Sequence, residues 1–135
     1  MSGGNREQRE QSNDARLWLT KAVEDVNGAR MLLSGGLEAL AAFHVQQATE
    51  KALKALLVAA AQDVRRVHDI ATLADLARVH WPDVVPSPFP LIAANQWYIT
   101  TRYPDIDEES PASIEIEEAL QVLESLMTAI TTLVR

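Results

Sequence analysis

Apolar residues along this chain recur at three- and four-residue steps almost throughout, and no stretch alternates with the period of two that marks a half-buried strand. The pattern predicts an all-α protein. A first helix starts near Ser12 or Asn13, both good caps, and carries Ala15, Trp18, Leu19, Ala22, Val23, Val26, Ala29 and Leu33 along one side. Gly35 and Gly36 stop it, because glycine accepts the left-handed backbone at a helix C-terminus. The second helix, 37–62, is rich in Ala and Leu, and its arc of Ala41, Val45, Ala48, Ala52, Leu53, Leu56 and Ala59 permits close approach of a neighbour. It is expected to be the central helix.

A third helix begins near Asp69, with Ile70, Leu73, Leu76, Ala77 and His80 on one face, and ends at Trp81-Pro82. Pro82, Pro86, Pro88 and Pro90 stiffen the loop that follows. A fourth helix is expected over 91–102, closed by Tyr103-Pro104, then an acidic loop over 105–109. Ser110 as cap and Pro111 in the first turn open the last helix, whose stripe is Ile116, Ala119, Leu120, Leu123, Met127, Ile130 and Val134. Short connections favour antiparallel neighbours, so the expected architecture is an up-down helical bundle of four to five helices. Residues 1–12 read as a disordered N-terminal lead-in, and 13–135 as one domain.

Composition narrows the chemistry. The 135 residues include no cysteine, which excludes disulfides, thiolate catalysis and Cys-based zinc sites. The most apolar stretch, 52–61, contains Lys54 and falls far short of the roughly 20 residues a membrane span requires. The polar N-terminus offers no signal-peptide core, so the cytoplasm is the expected location. A net charge of −7 disfavours non-specific nucleic-acid binding. The charge is uneven, however: most cations precede residue 103 and acidic residues dominate after it, so a local basic site remains compatible with the whole.

Three segments hold candidate functional residues. His44, Gln47, Lys51 and Lys54 fall within a sector of about 80° on the helix wheel, offering an imidazole, an amide and two ammonium groups to an anionic ligand or partner. The competing reading is a solvated face with Glu50 and Lys54 as an ordinary i,i+4 pair. Arg65, Arg66 and His68 stand just ahead of a helix N-terminus, an arrangement suited to phosphate contact, or else form a solvated loop in which Asp69 caps the helix. Tyr98 and Arg102 are i,i+4 neighbours beside Tyr103, so an aromatic ring and a guanidinium can stack on a base and clasp a phosphate; alternatively they pack, with Arg102 paired to Asp105 or Asp107. No glycine-rich phosphate loop is present, no serine sits in a nucleophile-elbow context, and His44, His68 and His80 lack metal-ligand spacing. Neither a metal nor a cofactor is expected.

Taken together, Phe43-His44-x-Gln46-Gln47-Ala48-x-Glu50-Lys51-Ala52-x-Lys54-Ala55, His68-Asp69-Ile70 and Tyr98-x-x-x-Arg102-Tyr103-Pro104 resemble the HEPN family (higher eukaryotes and prokaryotes nucleotide-binding domain) in content, order and separation. The resemblance runs from about Trp18 to the C-terminus. It implies a helical bundle that commonly forms a homodimer, a nucleotide ligand, and a minimal nucleotidyltransferase as partner in toxin–antitoxin pairs. Many relatives are metal-independent ribonucleases in which four to six residues separate an arginine from a following histidine, so that the arginine stands five to seven positions ahead. Here the matching positions are Ala39, Glu38 and Leu37 before His44, Asp63, Gln62 and Ala61 before His68, and Asp75, Ala74 and Leu73 before His80. None is arginine. The expectation is therefore a non-catalytic, dimeric binding module, with His44, Gln47, Lys51, His68, Tyr98, Arg102 and Tyr103 as ligand-binding residues and no catalytic set. The alternative is an RNA-cleaving toxin that uses an atypical Arg/His pair.

Overall fold

Four helices and a short 3-10 turn make up the described part of the chain, with no strand among the described residues: α1 Ser2–Ser34, α2 Glu38–Ala59, α3 Ile70–His80, the 3-10 turn Ile92–Gln96, and α4 Ser113–Leu133. The structure is a computed structural model that describes residues 2–64, 66–97 and 110–134, with side chains from residue 6 onward.

The buried stripe of α1 is Ala15, Leu19, Ala22, Val26 and Ala29, at alternating steps of four and three, as expected for a helix with one face in the core. Val23, placed on that stripe by the sequence reading, is 41% exposed, one position off the seam. The helix also begins earlier than expected and takes in the segment 2–12 read above as a lead-in. From Arg6 to Gln11 that segment has good helix formers and an exposed Arg6–Glu10 pair at i,i+4, but Gly3 and Gly4 stand ahead of them and no apolar periodicity advertises the helix. At the other end Leu37 N–H donates to Leu32 C=O (2.8 Å) and Gly36 N–H to Leu33 C=O (3.1 Å), a Schellman closure with Gly36 at φ +77°.

The glycine turn folds α2 back onto α1, and alanines 41, 48, 52 and 55, all fully buried, let α2 lie close against its neighbours. α2 packs on α1, α3, α4 and the 3-10 turn, and so is the central helix. α4 is clamped to α1 at two levels. Arg16 Nε donates to the carbonyl of Val134 (2.7 Å), and Arg30 reaches Glu124 (2.6 Å) and Glu117 (3.4 Å). Because the later residue of α1 meets the earlier residues of α4, the two helices run antiparallel. The expected α4 stripe is buried in full, with Leu126 added.

Two further boundaries and one buried face differ from expectation. α4 starts at Ser113, not in the turn after Ser110: Ala112 is the extended cap residue, and the Glu115 carboxylate accepts its N–H at 3.5 Å, so Pro111 lies before the helix. The helix expected from 91 onward begins as the tighter 3-10 turn, and its continuation past Trp97 lies outside the described residues. On α3, Leu76 and His80 face outward, and the buried face is Ile70, Leu73, Ala74 and Ala77.

The start of α3 fixes the approach to the candidate site. Asp69 caps the helix, its Oδ2 accepting the Thr72 N–H (2.9 Å) and hydroxyl (2.8 Å). Its Oδ1 accepts from Asn95 Nδ2 (2.6 Å), while Asn95 Oδ1 accepts the Ile70 N–H (2.9 Å). This latch ties the 3-10 turn to α3 and pins the residue just ahead of the cap, His68.

Candidate functional site

Where α1 and α2 face each other, a seam of charged and hydrogen-bonding groups interrupts the alanine contacts. His44, Gln47, Lys51 and Lys54 lie along α2, as their spacing predicts, but they do not project freely into solvent. Asp25 of α1 stands opposite: its Oδ1 accepts from His44 Nδ1 (2.9 Å) and its Oδ2 from Lys51 Nζ (2.6 Å). The Asp25 side chain is only 13% exposed, against 34% for His44 and 25% for Lys51. An ionised carboxylate can only accept, so His44 carries its proton on Nδ1 and, when neutral, presents Nε2 as an acceptor. Lys51 keeps further N–H groups beyond the one given to Asp25.

One turn on, Lys54 and Glu50 are both buried and paired at 3.6 Å. The i,i+4 pair anticipated for a solvated face thus exists, but inside the protein. Lys54 Nζ also lies 5.2 Å from the centroid of the Trp18 ring, a cation–π contact from α1, and donates to His68 Nδ1 at 3.2 Å. His68 Nδ1 is in turn 3.4 Å from Glu50 Oε1, and the His68 side chain is largely exposed. Gln47 donates to Gln46 Oε1 (2.7 Å). No buried side-chain polar atom among the described residues lacks a hydrogen-bond partner.

The seam therefore holds two carboxylates against two ammonium groups, each in its own pairing, with an imidazole at both ends. Buried ion pairs cost desolvation, and the polar contacts from His68 and Trp18 offset part of that for Lys54. Chemically the arrangement is a set of fixed donors and acceptors, partly open at His44, Lys51 and His68, and without a surplus of positive charge. No group of histidines and acidic residues able to hold a metal is present among the described residues.

The HEPN domain model matches residues 15–133. The chain belongs to the HEPN family. Among solved structures this HEPN domain is similar to TT1696 from Thermus thermophilus, at 36% identity over 90% of this chain and 98% of that one, with a TM-score of 0.71. It shares its fold with ST0689, an archaeal HEPN homologue, at 23% identity, the same coverage and a TM-score of 0.61. No curated protein matches the chain.

Of the residues singled out in sequence, the HEPN fold brings His44 and Lys51 together through Asp25, and sets His68 on the neighbouring Glu50–Lys54 pair. Gln47 lies on the same α2 stripe and bonds to Gln46. Tyr98, Arg102 and Tyr103, and also Arg65, lie outside the described residues. Sequence reasoning missed Asp25 and the buried role of Glu50. A signal for Asp25 was present: it sits three residues after Ala22 and four before Ala29, a carboxylate on the flank of an apolar stripe.

Proposed function

We propose that this HEPN domain is a non-catalytic binding module that works as a cytoplasmic homodimer, takes a nucleotide-like ligand and partners a minimal nucleotidyltransferase in a toxin–antitoxin-type pair. The observation that carries the reading is the joint hold of Asp25 on His44 and Lys51. It fixes an acceptor, His44 Nε2, beside a cationic donor, Lys51 Nζ, on a partly open face. A nucleotide offers the complementary pair, a hydroxyl or amino group for the acceptor and an anionic oxygen for the ammonium. Gln47 and His68 extend the same surface, and Tyr98, Arg102 and Tyr103 are proposed to complete it with a stacking ring and a second cation. Family membership supports the dimer and the nucleotidyltransferase partner. The lack of arginine at all nine positions five to seven residues ahead of His44, His68 and His80 supports a role without catalysis.

A thermal-shift series with ATP, ADP, adenosine and inorganic phosphate tests this. Stabilisation should be greatest for a nucleotide and should be lost in Lys51→Met, since a ligand that prefers the folded state raises its stability by mass action. Equal behaviour of wild type and Lys51→Met with every compound overturns it. Co-expression with a nucleotidyltransferase encoded beside this chain should yield one complex on gel filtration.

One observation favours a second reading. His68 is exposed, and its Nδ1 is held between Glu50 and Lys54, which leaves Nε2 toward solvent as a proton-transfer group requires. Cleavage of RNA that survives chelator and disappears in His68→Ala would make the protein an RNA-cleaving toxin instead.

A further inference from the structure

The first helix runs past the end of the second, and a cleft of about 600 Å³ opens between them, within the size range of small-ligand sites. Its lining is chiefly apolar, with Leu17 and Trp18 from α1 and Val58 and Ala61 from the end of α2. Leu17 is 65% exposed although it borders this concave surface. Trp18 is the residue whose ring bears the buried Lys54 ammonium, so this wall is held from behind.

A second, independent observation comes from the backbone. α2 ends in the same closure as α1: Ala61 N–H donates to Val58 C=O and Gln62 N–H to Leu57 C=O, both at 2.9 Å. In α1 the left-handed position is Gly36. In α2 it is Ala61, at φ +62°, a conformation that L residues adopt only at a cost. The methyl group that causes the strain belongs to a residue of the cleft lining. Strained backbone of this kind clusters at ligand sites.

Charge then selects the occupant. The charged residues of the lining are Asp14, Lys21 and Asp63, and Asp63 has an interaction of its own. Lys21 is shared with Glu24 at 3.4 Å, and Asp14 has no ion pair among the described residues. With Lys21 shared and Asp63 already partnered, Asp14 is the carboxylate that meets an entering ligand, and it repels an anion in a protein that already carries −7 overall.

We infer that the cleft between α1 and the end of α2 is a binding site for a small organic cation, its apolar body against Leu17, Trp18 and Ala61 and its ammonium group at Asp14. The site is separate from the seam at Asp25 and selects the opposite charge.

The test uses the full ¹⁵N-labelled chain and three probes that share one apolar body: phenylpropylamine, phenylpropanol and phenylpropanoate. The amine should shift the Trp18 indole and Ala61 amide signals and saturate at roughly two- to fivefold lower concentration than the alcohol, the gain of one exposed charge pair. The carboxylate should bind most weakly. Asp14→Asn should bring the amine to the level of the alcohol, and Ala61→Gly should weaken all three probes while raising the unfolding midpoint. The inference is overturned by a carboxylate that binds as well as the amine, or by no shift at these residues with any probe. It is equally overturned if the cleft signals move with protein concentration alone and Leu17→Glu abolishes that dependence, which would assign the cleft to a second copy of the chain.

Discussion

Lys51 and Asp25, 26 positions apart in sequence, meet at 2.6 Å across the α1–α2 interface, and the same carboxylate holds His44 through its other oxygen. One acidic residue on the first helix thus decides how two candidate ligand-binding groups on the second are presented. It also competes with any anionic ligand for Lys51.

Removing that competition has a readable consequence. Asp25→Asn keeps the shape but withdraws the charge, so folding stability should fall by about 1–2 kcal/mol, the cost of a charge-assisted hydrogen bond in a half-buried place. The freed ammonium should at the same time bind nucleotide more tightly. Urea unfolding and the nucleotide thermal shift, measured on one preparation, check both signs.

The Glu50–Lys54 pair behaves differently because both side chains are at least nine-tenths buried. Glu50→Gln leaves Lys54 as an uncompensated buried cation and should destabilise the protein by ~3 kcal/mol. The double variant Glu50→Gln, Lys54→Met removes both charges and should recover much of that loss. A double-mutant cycle by chemical denaturation reads the coupling, and purely additive effects would mean that the two groups do not act as a pair.

Asp69 sets an acid-side dependence. Its carboxyl is held below the ordinary value of 3.8, first by the Thr72 hydroxyl, then by the Thr72 N–H and by Asn95. A carboxylate lowered in the folded state contributes stability that is complete above its unfolded value and is lost as pH falls through the lowered folded value. Stability should therefore drop on the acid side of 3.8, and Asp69→Asn should flatten that part of the curve. Denaturant midpoints across that range measure it.

Ala61 offers a stabilising change. Glycine adopts a φ of +62° without the Cβ clash, so Ala61→Gly should raise stability by about 1 kcal/mol, offset slightly by the greater freedom of glycine in the unfolded chain. The companion substitution Gly36→Ala, at φ +77°, should destabilise by a similar amount. Thermal melts of the two variants should move in opposite directions.

Much of the fold was legible because helices are local. The stripe from Ile116 to Val134, the stop at Gly36 and the Asp69 cap depend on neighbours three or four residues away, and each stands where its spacing places it. The errors fell where local signals weaken. The first turns of α1 carry no apolar periodicity, and α4 takes Ala112 as its cap residue, its N–H given to the Glu115 carboxylate, where Ser110 has the better capping side chain.

The candidate site divides along the same line. Residue order alone puts His44, Gln47, Lys51 and Lys54 on one side of a helix, since 3.6 residues per turn allow nothing else. That this side faces α1 and not water was settled by the packing of helices distant in the chain, which no local spacing records. Asp25 and Trp18 were thereby chosen as partners, and Lys54 became a buried cation in place of a solvated one.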